Sequence, residues 1–374
     1  MSVADAGGRT TGVAIVDGGS FVLPYDYELV RALVAQGIAV DVYVSQTRYN
    51  GAFLHALRDL KGVRVRERAI SRTAAPRWKG ALAYVLLLLD VRRAADRYHA
   101  VNLQFSVFWP IEIALLWPLR RRLVYTVHNP VPHGFARRRH APTARLAALA
   151  RTLVFASRFS RDDFMARYGE RFRAKSVLIA HGTAAVAPGL DAVRYVARGT
   201  PEALVYWSTV KPYKGVELFG ELARSTGLAS DPLRLEIHGA WDESLKPLRD
   251  ELAALGVAID DRFLGPAELR ALLARNVVFL LPYREASQSG ALYTLLHHGC
   301  VFLCADVGDL GDFMRRSGLD ALLLAERSAD AVADALERLR RDPAAIAARL
   351  QAAQDASGWA AAATDIRRAY GASA

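Results

Sequence analysis

The sequence predicts an α/β protein built from two doubly wound, Rossmann-like domains. Three observations predict it. Short apolar runs with strand character alternate with helical patterns along the whole chain. That rhythm breaks once, over 183–202, and then restarts. Glycine-rich and polar stretches stand just after the apolar runs, where open parallel sheets bind their ligands.

The first series opens with "TGVAIVDGG", a buried strand ending in glycines. "PYDYELVRALVAQG" follows as an amphipathic helix, with Pro24 near its start and Gly37 at its stop. Strands come next at "AVDVYVS", "VRVRERA", "AVNLQFS", "LVYTVHN", "TLVFAS" and "SVLIAHG", with basic or Ala-rich helices between them. "TAAVAPGLDAVRYVARGTPE" mixes Pro, Gly and polar residues and reads as a linker. The second series has strands at "ALVYWST", "LRLEIHG", "VAIDDRFLG", "VVFLLPY", "VFLCADVG" and "ALLLAE", and helices such as "PAELRALLARN". A last Ala-rich helix is expected from about Trp359 to Tyr370. The expected domains are 1–185 and 200–356, and two such domains facing each other make a cleft.

Composition fits a folded chain: 374 residues, 52% hydrophobic and 23% charged, without a low-complexity tract. The two cysteines, Cys300 and Cys304, share one apolar strand and read as core residues in a reducing compartment. The start, "MSVADAGGRTTG", lacks a basic region followed by an apolar one. "YVLLLLDV" and "VFWPIEIALLWPL" are shorter than the roughly 20 residues of a membrane span. The expectation is a cytoplasmic protein without transmembrane helices.

Net charge is +11 and lopsided. Residues 1–190 hold 28 Lys and Arg against 13 Asp and Glu, a net +15; the remainder holds 21 against 25, a net −4. A basic first domain suits an anionic partner: nucleic acid, anionic lipid or a phosphorylated acceptor. The plainer reading is a solvated arginine-rich surface. "FWPIEIALLWPLRRR", with Trp109 and Trp117, reads either as a core helix or as a shallow membrane insertion, and core packing is the expectation.

Five strand ends carry the candidate site. "VDGGSF" places Gly19 and Ser20 after the first strand, where glycine permits close approach; a plain tight turn fits as well. "VYTVHNPVPHGF" places His128, Asn129 and His133 in a proline-stiffened loop. Two histidines without a third nearby ligand make a poor metal site, but histidine can donate to a substrate oxygen or shuttle a proton. "VLIAHGT" sets His181 at the entrance to the linker. "YWSTVKPYKGVELF" sets Lys211 and Lys214 beside a helix start. The macrodipole disfavours cations there, so the placement argues for an anionic ligand. "LLPYREASQSGALYTLLHHG" interrupts an apolar strand with Glu285, Ser287, Gln288 and Ser289 and opens a helix at Gly290. Hydroxyl, amide and carboxylate beside free N–H groups suit a sugar bonded to a phosphate.

Together these residues carry a family. The chain resembles nucleotide-sugar glycosyltransferases of the GT-B fold, family 4-like and close to bacterial exopolysaccharide mannosyltransferases that lack the paired-glutamate motif. "VYTVHNPVPHG" is similar to their HN-x-x-PH segment, "KPYKGVELF" to RPYKG, and "LLPYREASQSGALYTLLHHGCVFLCADVGDL" to their PYR…SG…G block, in order over roughly residues 11–330. The resemblance implies that Lys214, supported by Lys211, contacts donor phosphates. It implies that Ser289 and Gly290 hold the diphosphate, with Ser287 and Gln288 beside them, and that Glu285 approaches the donor sugar. Gly19 and Ser20 would line the opposite side, with His128 near the transferred sugar and His133 toward the acceptor. The segment 357–374 would return to the first domain.

This sequence departs from the family at four places. Ser287 and Leu295 stand where two glutamates are usual, Thr209 where an arginine precedes the lysine, and Val301 where a proline follows the second glycine. The implied activity is hexosyl transfer from GDP-mannose or a UDP-hexose to a saccharide, lipid-linked through a diphosphate, at an anionic membrane face. No metal or cofactor is implied. Candidate catalytic residues are His128, Glu285 and Asp26. In a retaining reaction the leaving phosphate oxygen takes the acceptor proton; an inverting reaction needs a base, and His128 or Asp26 would supply it. Competing readings are a nucleotide-sugar epimerase of the same fold and a basic nucleic-acid-binding protein. The second lacks aromatics interleaved with its basic clusters, and no nucleic-acid partner is expected.

Overall fold

A computed structural model describes residues 12–47, 50–70, 77–130, 141–225, 233–286 and 289–371. The chain divides into two compact units, residues 1–182 with 359–374 and residues 183–358.

The first unit runs β1 (Gly12–Asp17), α1 (Leu23–Ala35), β2 (Ala39–Val44), α2 (Gly51–Asp59), β3 (Val63–Glu67), α3 (Arg77–Arg93), β4 (Tyr98–Leu103), α4 (Trp109–Leu116), β5 (Leu123–Thr126), α5 (Ala141–Leu149), β6 (Thr152–Phe155), α6 (Arg158–Tyr168) and β7 (Ser176–Leu178). Its seven parallel strands lie in the order β3-β2-β1-β4-β5-β6-β7. Val13 and Ile15 face one core layer and Ala14 and Val16 the other, so both faces of β1 are covered.

The second unit runs β8 (Ala203–Trp207), α7 (Leu218–Arg224), β9 (Arg234–His238), α8 (Lys246–Ala254), β10 (Ala258–Asp260), α9 (Pro266–Ala274), β11 (Val278–Leu281), α10 (Gly290–His297), β12 (Val301–Ala305), α11 (Gly308–Arg316), β13 (Leu323–Leu324), α12 (Ala329–Arg341) and α13 (Pro343–Ala356). Its six parallel strands lie in the order β10-β9-β8-β11-β12-β13. Cys300 and Cys304 are buried there, and burial pushes the Cys300 thiol up to about 12, which leaves it unreactive.

In each unit the strand order reverses beside the first strand, between β1 and β4 and between β8 and β11. The loops leaving those four strands therefore border the crevice where ligands bind in such sheets.

Three expectations change. The segment 183–202 is not a free linker. It has no regular structure but packs on the second unit: Val193 N–H donates to His297 O at 2.8 Å, Tyr195 OH donates to Cys300 O at 3.0 Å, and Gln354 Nε2 donates to Val193 O at 2.9 Å. The last helix, α14, spans Ala363–Tyr370, because Trp359 and the residues after it form a turn. It packs on the first unit, where Ile366, Ala369 and Tyr370 fill the core layer containing Val13 and Ile15. And α4 is only in part a core helix: Glu112 and Leu116 are buried, while Trp109, Ile111, Ile113 and Leu115 pack against the core half-buried.

Candidate active site

The second unit holds a buried cation that no carboxylate among the described residues pairs with. The loop after β8 makes a single tight turn at Pro212–Lys214 and leaves it through Gly215, whose φ is +71°. A Cβ on Gly215 would lie 2.0 Å from Pro282 O, so only glycine lets this loop pass against the end of β11. Arg284 N–H donates to Tyr213 O at 2.8 Å, and Arg327 Nε donates to Pro282 O at 2.9 Å, fastening the two loops. The result places Lys214 inward, 9% exposed. Its Nζ donates to Ser208 Oγ at 2.9 Å and Tyr283 OH at 3.0 Å and stands 4.5 Å from the centre of the Tyr283 ring. Among the described residues no carboxylate pairs with it.

Tyr283 links this ammonium to the start of α10. Its hydroxyl lies 3.4 Å from Ser289 Oγ, which also caps the helix by accepting from Leu292 N–H at 3.4 Å. The first N–H groups of α10 thus open beside Lys214, with clear space at Gly290. Lys211 is placed differently: it is exposed and paired with Asp242 at 2.8 Å, which pushes that carboxyl down to about 2. Glu285 is exposed on the loop after β11. Ser287 and Gln288 lie outside the described residues.

In the first unit, the turn after β1 is held by Ser20 N–H donating to Asp17 O at 2.9 Å. Ser20 has φ +51°, rare for a residue with a side chain. Its Oγ donates to Ser45 O at 2.6 Å and accepts from Ser45 N–H at 3.0 Å, which ties the turn to the end of β2. A Cβ on Gly19 would fall 2.2 Å from the Phe21 ring. Phe21 meets Phe105 edge-on at 5.4 Å, and Phe105 stacks on His128 at 4.6 Å. His128 is buried, with Nε2 2.8 Å from Gln104 Oε1. Asn129 follows it, half-buried, and His133 lies outside the described residues.

Asp26 sits in the first turn of α1, fully buried and within hydrogen-bonding reach of the buried Asp17. Asp17 Oδ2 accepts from Val22 N–H at 3.1 Å, while its Oδ1 and both Asp26 oxygens meet no protein donor. Burial, then the Asp17 charge, raises Asp26 well above the usual carboxylate range. A shared proton satisfies the pair, so Asp26 does not stand as a free base. His181 is also buried, with Nδ1–H donating to Gly182 O at 2.8 Å, and burial pushes it down to about 4, which keeps it neutral. Tyr25 packs between His128 and His181.

Two family models match this chain. Residues 25–184 match Glycosyltransferase Family 4, and residues 201–342 match Glycosyl transferases group 1. The chain belongs to the GT-B glycosyltransferases. Solved structures share its fold across nearly its whole length. HepE of Anabaena, in complex with UDP and glucose, has 15% identity and a TM-score of 0.71, covering 96% of this chain and 98% of its own. Sucrose-phosphate synthase from Thermosynechococcus elongatus has 18% identity and a TM-score of 0.65, covering 96% and 98%. WaaG, a glycosyltransferase involved in lipopolysaccharide biosynthesis, has 13% identity and a TM-score of 0.59, covering 92% and 95%. No curated protein matches the sequence.

The structure of this glycosyltransferase brings Lys214 and Ser289 together through two residues that the sequence reading passed over, Ser208 and Tyr283. It likewise joins His128 to Gln104, Phe105 and the turn at Gly19. The missed residues end apolar strands or follow them within a few positions. Their place after β4, β8 and β11 was the available signal.

Proposed function

We propose that this glycosyltransferase moves a hexose from a nucleoside-diphosphate sugar, a UDP-hexose or GDP-mannose, onto a lipid-linked saccharide of a bacterial surface polysaccharide. The observation that carries the donor half is Lys214. A buried ammonium held by two hydroxyls and an aromatic face has no counter-charge among the described residues, and burying it uncompensated is costly. A diphosphate supplies the missing charge, and the amino end of α10 adds N–H donors beside it.

In this reading Lys214 and the α10 N–H groups meet the negative charge that develops on the departing diphosphate. Tyr283 fixes the ammonium and orients Ser289. His128, oriented by Gln104 and Phe105, stands near the transferred sugar. Asp26 keeps its proton, so the acceptor hydroxyl loses its own either to the leaving phosphate oxygen or to His128. The setting is cytoplasmic, at the inner membrane face. UDP is the first donor base to test, because HepE is also seen in complex with UDP-glucose.

The test is calorimetric titration with UDP, GDP and their hexose conjugates, on the wild type and on Lys214→Ala. One nucleotide should bind to the wild type, at least about tenfold more weakly to the variant. Failure of every nucleotide to bind a folded wild-type chain would overturn the proposal.

A further inference from the structure

We propose that the outer face of α3 and α4 docks on an anionic lipid surface. The evidence starts with α4, "WPIEIALL", which is apolar on every side. Such a helix normally lies in a core. Here its one charged residue is turned inward beside Leu116, while Trp109, Ile111, Ile113 and Leu115 are only partly covered by the core. Glu112 is fully buried and accepts from Tyr84 OH, Ser106 Oγ, Val107 N–H and Phe108 N–H at 2.5–2.7 Å. Tyr84 belongs to α3, so the same carboxylate locks the two helices side by side.

What the pair shows to solvent is apolar and aromatic. Trp78 and Leu82, one turn apart on α3, are 63% and 51% exposed; Val107, Phe108 and Trp117 are 45%, 51% and 55% exposed. An exposed apolar surface of this kind marks an interaction site.

Its rim is cationic. Lys79 of α3, Arg121 shortly after α4 and Arg145 of α5, which packs on α4, are all exposed. The carboxylates of α3 and α4 are taken up: Glu112 is buried and Asp90 is tied to Arg68 and Arg93. Arg120 lies over the Trp117 ring at 5.0 Å, Lys79 over Trp78 at 5.6 Å and Arg145 over Trp109 at 4.7 Å. Aromatic rings with basic side chains over them match a membrane interface, where rings enter the headgroup layer and the cations meet lipid phosphate. A second copy of the chain would bring arginine against arginine, and nucleic acid would gain nothing from Leu82, Val107 or the prolines. No helix among the described residues is long and apolar enough to cross a membrane, so the contact is peripheral.

This deepens the proposed lipid-linked acceptor, and its test does not pass through donor binding. The full chain is sedimented with vesicles of phosphatidylglycerol and phosphatidylcholine, and with phosphatidylcholine alone. Binding is expected to the anionic vesicles, weakening in about 0.5 M salt. Trp78→Ser with Trp117→Ser, and separately Arg120→Glu with Arg121→Glu, should each lower partitioning by about tenfold or more. UDP affinity, measured on the same variants, should stay at the wild-type value and reports that they are folded. Equal binding to both vesicles, or variants that bind like the wild type, would overturn the proposal. So would a dimer abolished by the tryptophan substitutions, which assigns the face to a second copy, or tighter salt-dependent binding to poly-U than to vesicles. Absence of UDP binding with intact vesicle binding would remove the donor reading and leave this one standing.

Discussion

Lys214 and Asp26 are both buried ionisable residues, and their environments treat them in opposite ways. Lys214 is held by Ser208, Tyr283 and a ring face, a setting that suits a bound anion better than the empty protein. Lys214→Met should therefore leave the empty protein as stable, or about 1 kcal/mol more stable, in urea unfolding, while donor binding falls at least about tenfold. Asp26 instead keeps its proton. Its folded pKa is raised, so above the usual carboxylate value the unfolded chain releases a proton that the folded chain holds. Stability contributed by this group is then full at low pH and declines as pH rises from about 4 toward the folded value. Asp26→Asn should remove that decline and raise the melting temperature at pH 7 by a few degrees, as followed by circular dichroism from pH 4 to 8. Lys214 was legible because a cation at a helix start is a mismatch that needs a ligand. Lys211 was expected to support it, since spacing cannot show an Asp242 that lies thirty-one positions away and takes its charge. Nor did "PYDYELV" reveal that Asp26 faces inward, because a polar residue in an amphipathic pattern is ordinarily solvated.

Elements were legible wherever apolar periodicity alone decides them. Twelve of the thirteen strands fall within the predicted runs, and β4 begins two residues before its own, at Tyr98; strands covered on both faces are nearly continuously apolar, while the edge strand β3 alternates. Alpha-4 shows where that logic stops. Apolar density reports that a helix buries easily, but not which face is buried, and Glu112, its one charged residue, is as fully buried as Leu116. The strap 183–202 was misread for a related reason. Its anchors are backbone groups and the scattered side chains of Tyr195, Arg198 and Glu202, which carry no periodic signal. The loop after β8 is the element on which the donor site depends most. Gly215→Ala adds a Cβ 2.0 Å from Pro282 O and 2.9 Å from the Arg327 guanidinium at a positive φ. The loop must then lift from β11 and carry Lys214 with it. The substitution should cost about 2–3 kcal/mol in urea unfolding. UDP affinity, measured on the folded fraction, should fall toward that of Lys214→Ala.

The whole molecule is two cores with opposite charge balance. The apolar clusters of the first unit share no residue with that of the second. The first unit carries 30 Lys and Arg against 14 Asp and Glu, a net +16, and the second 19 against 24, a net −5. Separate cores predict two transitions in scanning calorimetry. Charge identifies them. Like-charge repulsion weakens the first unit, so moderate salt should raise its transition more than that of the second. A nucleotide held at Lys214 and α10 then stabilises only the second unit, by about 2.7 kcal/mol at a hundredfold excess over its Kd. The transition that salt raises less should therefore be the one that UDP raises, by several degrees. If UDP instead moves the salt-sensitive transition, the nucleotide sits in the basic unit and Lys214 is not its anchor. If both transitions move together, the ligand couples the two cores, and the thermodynamic unit is the whole chain.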